Sequence, residues 1–279
     1  MPIFVSPNSA DVWAHPELFL LDEKGHPAAF SGVPPDYFSP TGQFWGNPLY
    51  DWKAHREEDY AWFKERFSRA AELYDVVRID HFRGFEAFWS IPAESKTALE
   101  GHWEKGPGRE VFDAARTAVP HLEFIAEDLG VITREVDLLR RELGFPGMRV
   151  FEFAFDGKLD NPHLPANVSE NRVYYPGTHD NDTVLGWFES LDAETKKKVA
   201  TFLGNPASVP EAVLEIVFAS RARYAVTLAQ DVLGLGTEAR MNRPGDATGS
   251  WGWRMRKGAL TEQSAMRMRY LSEKYQRNN

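Results

Sequence analysis

The chain has 279 residues, no cysteine, and 41 acidic against 32 basic side chains, a formal charge of −9. This excludes disulfides, thiolate metal sites and cysteine nucleophiles, and argues against a nucleic-acid footprint. At 43% apolar and 13% aromatic residues it can bury a sizeable core.

No apolar run approaches the roughly 20 residues that span a bilayer, and residues 1–5 lack the basic start of a signal peptide. The expectation is a cytoplasmic protein without nucleic-acid or membrane partners. Short runs rich in Val, Ile, Phe and Tyr predict strands at 2–5, 74–80, 122–127, 148–154, 172–175 and 224–228. Helical patterns fall between them, at 53–72, 109–118, 133–143, 192–203, 210–221 and 261–275. Thr133 is placed to cap its helix, with Val136, Leu139 and Leu143 as an apolar stripe, and Pro210 suits a first helical turn. Alternating strand and helix implies a parallel sheet wrapped by helices, hence an α/β fold, doubly wound or a (β/α)₈ barrel. No Gly-x-Gly-x-x-Gly follows a strand, which disfavours a Rossmann dinucleotide site.

Two segments break this rhythm. Residues 31–50 carry four prolines and show neither helical nor strand period. Their aromatic content argues for an ordered functional loop. Residues 233–254 are similar, rich in glycine and ending in Trp251-Gly252-Trp253. Both read as ordered loops over a site, and flat aromatic faces on loops suit sugar rings.

Three segments carry the chemistry: Val77-Arg78-Ile79-Asp80-His81-Phe82-Arg83-Gly84, Ile125-Ala126-Glu127-Asp128-Leu129-Gly130 and Gly177-Thr178-His179-Asp180-Asn181-Asp182. In each, a carboxylate follows a largely apolar run, which places acids where buried strands meet loops, as in barrel enzymes. Arg78 precedes Asp80 by two residues on one strand, so both point to the same side and the guanidinium favours an ionised Asp80. Glu127, behind Phe124-Ile125-Ala126, suits apolar surroundings that keep a carboxyl protonated. Bland alternatives stand beside these readings. An Asp after a strand is often a helix cap, Arg78 and Asp80 are compatible with a structural ion pair, and Trp45, Trp251 and Trp253 with core residues. The His179-Asp180-Asn181-Asp182 run is compatible with a hard cation, but no companion ligand at suitable spacing supports one.

Together with the loop 32–50 and Ala239-Arg240-Met241-Asn242, these motifs resemble 4-α-glucanotransferases, the amylomaltase or disproportionating-enzyme family of the α-amylase superfamily. The resemblance runs over essentially the whole chain in the family's order. It implies an α-amylase-type (β/α)₈ barrel and the transfer of α-1,4-glucan segments between chains, with maltooligosaccharides or starch as partners and no metal or organic cofactor. It implies Asp80 as nucleophile, Glu127 as general acid/base and Asp180 as a third acid on the sugar hydroxyls. Arg78 and His179 then bind at the reacting sugar. Asp36, Tyr37, Phe38, Trp45 and Asn47 hold the acceptor, with Phe153 opposite.

Family chains are longer. This one starts inside the Gly-Asp-Val/Ile-Pro-Ile motif, with Met1 where the family carries Asp. The expectation is therefore residues 1–279 as a partial barrel, strands three to eight without the first two βα units. An amylase-like hydrolase and an inactive glucan-binding remnant remain as alternatives. Truncation of that kind predicts exposed sheet edges at 2–5 and 224–228.

Overall fold

The computed structural model describes residues 1–35, 39–245 and 248–277. Two compact units divide it, Met1–Gly147 and Met148–Asn279.

In the first unit, helix α1 (Ala10–Ala14) precedes an antiparallel sheet that no periodicity announced. Its strands are β1 (Ala29–Val33), β2 (Gln43–Pro48), β4 (Ala87–Pro92) and β5 (His102–Lys105), in the order β2-β1-β4-β5. Residues 31–50, expected to lack strands, thus contribute the end of β1 and all of β2. Partners distant in sequence make these strands. Gly32 pairs with Trp89 across β1 and β4, and a Cβ on Gly32 would lie 2.2 Å from the Gln43 carbonyl oxygen.

The parallel strands β3 (Val76–Ile79) and β6 (Glu123–Ala126) pair in register, Ile79 opposite Ala126. Strand β7 (Gly147–Val150) starts beside Ala126. Residues 2–5 are not a strand, since Pro2 has no N–H to donate to a ladder, although Ile3 and Phe4 both enter the core. The Met1 ammonium instead donates to the Arg78 carbonyl at 2.6 Å, and the Asp80 N–H donates to the Met1 carbonyl at 2.9 Å.

The predicted helix 53–72 is two helices, α2 (Trp52–Glu57) and α3 (Ala61–Ala71). Asp59 and Tyr60 break it in the left-handed region, at φ 52° and 55°. The buried Tyr60 donates its hydroxyl to Glu110 at 2.6 Å, so a tertiary contact supports the break. Helices α4 (Glu110–Ala118) and α5 (Arg134–Glu142) match expectation. Thr133 caps α5, accepting from the Val136 N–H at 3.5 Å, and Val136, Leu139 and Leu143 are buried. Phe67, Phe82, Phe85, Phe112, Phe124 and Phe145 interlock as a ring cluster, mostly tilted or edge-on at 4.8–6.4 Å. This cluster backs the strand ends that carry the acids.

In the second unit, β7 gives way to a 3₁₀ turn, Phe151–Ala154, cutting short the strand expected over 148–154. Strand β8 (Arg172–Tyr175) pairs in parallel with β9 (Tyr224–Ala225), which ends three residues sooner than expected. Helices α6 (Val184–Ser190), α7 (Ala193–Phe202), α8 (Val209–Ala219), α9 (Ala229–Val232) and α10 (Glu262–Lys274) complete it, with Pro210 in the first turn of α8. Helix α9 begins just beyond the strand expected over 224–228 and carries the buried polar residues Gln230 and Asp231. No helix among the described residues is long and apolar enough to cross a membrane.

Candidate active site

Asp80 and Glu127 each follow directly on the paired residues Ile79 and Ala126, so parallel register alone brings the two acids side by side at adjacent strand ends. Three backbone bonds secure this junction. The Glu127 N–H donates to the Ile79 carbonyl at 2.9 Å, the Phe82 N–H to the Glu127 carbonyl at 3.2 Å, and the Asp80 N–H to Met1. Arg78 donates from Nη2 to Asp80 Oδ1, so that carboxylate has a fixed counter-charge on its own strand.

Glu127 is held differently. Its Oε2 accepts the His81 N–H at 2.7 Å and its Oε1 the Leu129 N–H at 2.8 Å. The chain can aim His81 this way because that residue is left-handed, at φ 50°. Burial pushes the Glu127 carboxyl up to about 7, helped by the Asp80 charge; the two N–H donors and Arg78 pull the other way. The group therefore carries a proton part of the time near neutrality, the state a general acid and base must alternate between. The His81 ring packs edge-on to Trp45 at 4.7 Å with its Nε2 buried and unpartnered, and desolvation lowers its pKa to about 3, leaving the imidazole neutral.

Trp45, on β2, is partly buried, with its Nε1 donating to Gln43 at 3.1 Å. Asn47 lies on the same strand, partly buried. Asp36, Tyr37 and Phe38, the other acceptor-loop residues, lie outside the described residues. Asp128, directly after Glu127, is buried 3.6 Å from Arg140.

In the second unit the 177–182 loop follows β8. Asn181 orders it, accepting at Oδ1 from the Thr178 N–H at 2.9 Å and hydroxyl at 2.8 Å. Asp180 Oδ1 accepts from the Asn242 amide at 2.6 Å, and Arg240 donates to the Asp180 carbonyl at 2.8 Å. His179 Nε2 lies 3.5 Å from Asp180 Oδ2, and its ring lies 5.3 Å from the exposed Trp251. Asp182 accepts from the Thr237 hydroxyl at 2.6 Å, so it orders the loop; Thr183, one residue on, is the cap of α6. Phe153 is 39% exposed, braced edge-on by His163 at 5.5 Å, and its carbonyl accepts from Asn161 at 2.8 Å. Among the described residues, no three His, Asp or Glu side chains are grouped to hold a metal ion.

Sequence reasoning picked out Arg240 and Asn242 within a motif but gave them no role. It missed Glu152 and Asp231 entirely. Both are buried acids, and their burial comes from tertiary packing that no local pattern announces.

A family model described as 4-alpha-glucanotransferase matches residues 1–261, and the chain belongs to that family. It is 52% identical over 257 residues to a chloroplastic/amyloplastic 4-alpha-glucanotransferase of Arabidopsis thaliana, covering 91% of this chain and 45% of the relative. It is 48% identical over 286 residues to the 4-alpha-glucanotransferase of Thermus thermophilus, covering 99% and 57%. The chain thus spans about half the length of these curated relatives. Among solved structures, amylomaltase from Streptococcus agalactiae in complex with acarbose matches the whole chain with a TM-score of 0.95 and 40% identity, over 57% of that protein. Amylomaltase from Corynebacterium glutamicum shares the fold at a TM-score of 0.78 and 16% identity, over 45% of its length. The α/β architecture is that of amylomaltases.

Proposed function

We propose that the protein of which this chain forms at least part is a 4-α-glucanotransferase moving α-1,4-glucan segments by a retaining double displacement. The observation that carries this is the contrast between two neighbouring acids: Asp80 against a guanidinium, and Glu127 partly buried, clamped by two N–H groups and poised near 7. Retaining enzymes need such a pair, one group ionised to attack and one protonated to donate.

Asp80 attacks the anomeric carbon as its bond to the leaving oxygen breaks, and Glu127 delivers a proton to that oxygen. A second sugar hydroxyl then gives its proton to Glu127 and displaces Asp80, restoring both acids. Asp180, with His179 beside it and Asn242 holding one carboxylate oxygen, binds sugar hydroxyls, and Arg78 orients Asp80. Trp45 and Asn47, with Asp36, Tyr37 and Phe38, carry the acceptor, and Phe153 faces it. Transfer prevails over hydrolysis where apolar rings keep water from the intermediate.

The chain is part of an α-amylase-type (β/α)₈ barrel in this reading, β3, β6, β7, β8 and β9 supplying its fourth to eighth strands and residues 1–5 standing in the place of the third; coverage of about half of each relative supports it. The reaction needs no metal or organic cofactor.

Maltotriose supplied to the full-length protein tests this. Glucose plus longer maltooligosaccharides are expected. Reducing ends without longer products would mean an amylase-like hydrolase, and binding without products a glucan-binding remnant.

A further inference from the structure

Beneath the loop bearing His179 and Asp180 lies a cluster of buried acids that the reaction does not use. Glu152 occupies the turn after β7, one residue before Phe153, and is 8% exposed. Its N–H donates to the Pro176 carbonyl at 3.1 Å, which ties this turn to the start of the loop. Its Oε1 is buried without a hydrogen-bond partner, and a Cβ on Gly177 would approach that oxygen to 2.7 Å. Asn181 lies beside the same carboxyl, its Cβ also against Gly177.

The other charged groups facing Glu152 are Asp182 from the loop, Asp231 from α9, and Arg240. Asp231 is 1% exposed; its Oδ1 accepts the Val184 N–H at 2.8 Å, while Oδ2 has no partner. Glu152 and Asp182 thus share one guanidinium, and that guanidinium is also engaged by the Asp180 carbonyl. Burial among other carboxylates with so little counter-charge disfavours an ionised Glu152.

We propose that Glu152 is a positioning residue that acts as a neutral carboxylic acid, filling the space under Gly177 beside Asn181 so that His179 and Asp180 keep their places. Desolvation, reinforced by Asp231 and Asp182, raises the Glu152 pKa well above the usual carboxylate range. Asp231 is itself raised to about 6 by burial. The sign of the pH dependence follows. An unfolded chain releases this proton above about 4.5 while the folded chain keeps it, so the native state loses stability as pH rises from there. The proposal presupposes the glucanotransferase reading for its kinetic part alone.

The test compares full-length native protein with Glu152→Gln, Glu152→Ala and Asp231→Asn. Gln reproduces the neutral acid, so disproportionation of maltotriose by Glu152→Gln is expected within about threefold of native, while Glu152→Ala loses about tenfold in kcat. The melting temperature of Glu152→Gln should gain on native progressively between pH 5 and 8. Asp231→Asn should make the same gain smaller. Infrared difference spectra at neutral pH should show a protonated carboxyl stretch in native protein that Glu152→Gln removes. A Glu152→Gln variant as impaired as Glu152→Ala, a melting difference flat with pH, or no such infrared band would each overturn the proposal. If Glu152→Ala fails to fold, the pH series and the spectra still decide it. Neither involves substrate, so both stand apart from any failure of the transferase reading.

Discussion

Asp80 with Glu127 in one unit, and Asp180 in the other, are acids at strand ends held by opposite means. The first pair is placed by the backbone: parallel register aligns the residues, and the N–H groups of His81 and Leu129 grip the Glu127 carboxyl. Asp180 is placed by side chains distant in sequence, Asn242 on its carboxylate and Arg240 on its carbonyl, above a floor of buried acids. Backbone donors carry no titratable proton and survive most substitutions. A side-chain scaffold is adjustable, and each member is a point of failure.

The comparison breaks first at the chemistry. Asp80→Asn or Glu127→Gln in the full-length protein should each lower transfer by roughly 10³-fold or more, since each removes a group acting in both half-reactions. Near-native rates for both variants in a maltotriose assay would end the assignment of the pair.

Next is the energetic cost of holding Glu127 protonated. A rise from 4.5 to about 7, at about 1.4 kcal/mol per pKa unit, amounts to about 3 kcal/mol. Below pH 4.5 both folded and unfolded chains hold the proton. As pH climbs toward 7 the unfolded chain releases it first, so native stability falls across that window. Glu127→Gln removes the dependence, while its amide opposite an N–H donor adds a pH-independent penalty. Denaturation curves of the two proteins at pH 4 and pH 8 should therefore differ by a margin that shifts toward the variant at higher pH; a constant margin would count against a partly buried, raised Glu127.

The side-chain scaffold gives a smaller effect. Asn242→Ala frees one oxygen of Asp180 and should lower kcat by about tenfold with little change in melting temperature. An effect on stability alone would make Asn242 a structural tie. Smallest is Trp45→Ala, expected to raise the ratio of hydrolysis to transfer by about threefold, through loss of an acceptor platform and of the ring packed on His81. Product analysis showing an unchanged ratio would return Trp45 to a packing role.

The same contrast explains what the sequence could reveal. Strand β8 falls where it was read, at 172–175, and α4, α5, α7, α8 and α10 lie within two residues of expectation, because apolar runs and caps are local signals. Asp80 and Glu127 stood out for the same reason, each closing a short apolar run. The antiparallel sheet did not, because its partners β1 and β4 are separated by some fifty residues of sequence. The break at Asp59 and Tyr60 contains neither Gly nor Pro, and the Tyr60 bond to Glu110 that supports it is fifty positions away. Glu152 sits in Phe151-Glu152-Phe153-Ala154, which reads as strand until the chain shows it turning. Its burial, like that of Asp231, belongs to the packed loop above it.

The left-handed turn at His81 has a further consequence for any redesign of this catalytic pair. The peptide that ends Asp80 is the one whose N–H grips Glu127, so the proposed nucleophile and the proposed proton donor hang from a single planar linkage. They behave as one mechanical part. An inserted residue, or a side chain at 81 that resists positive φ, would turn that plane and disturb both acids at once, even with every carboxylate still present in the sequence.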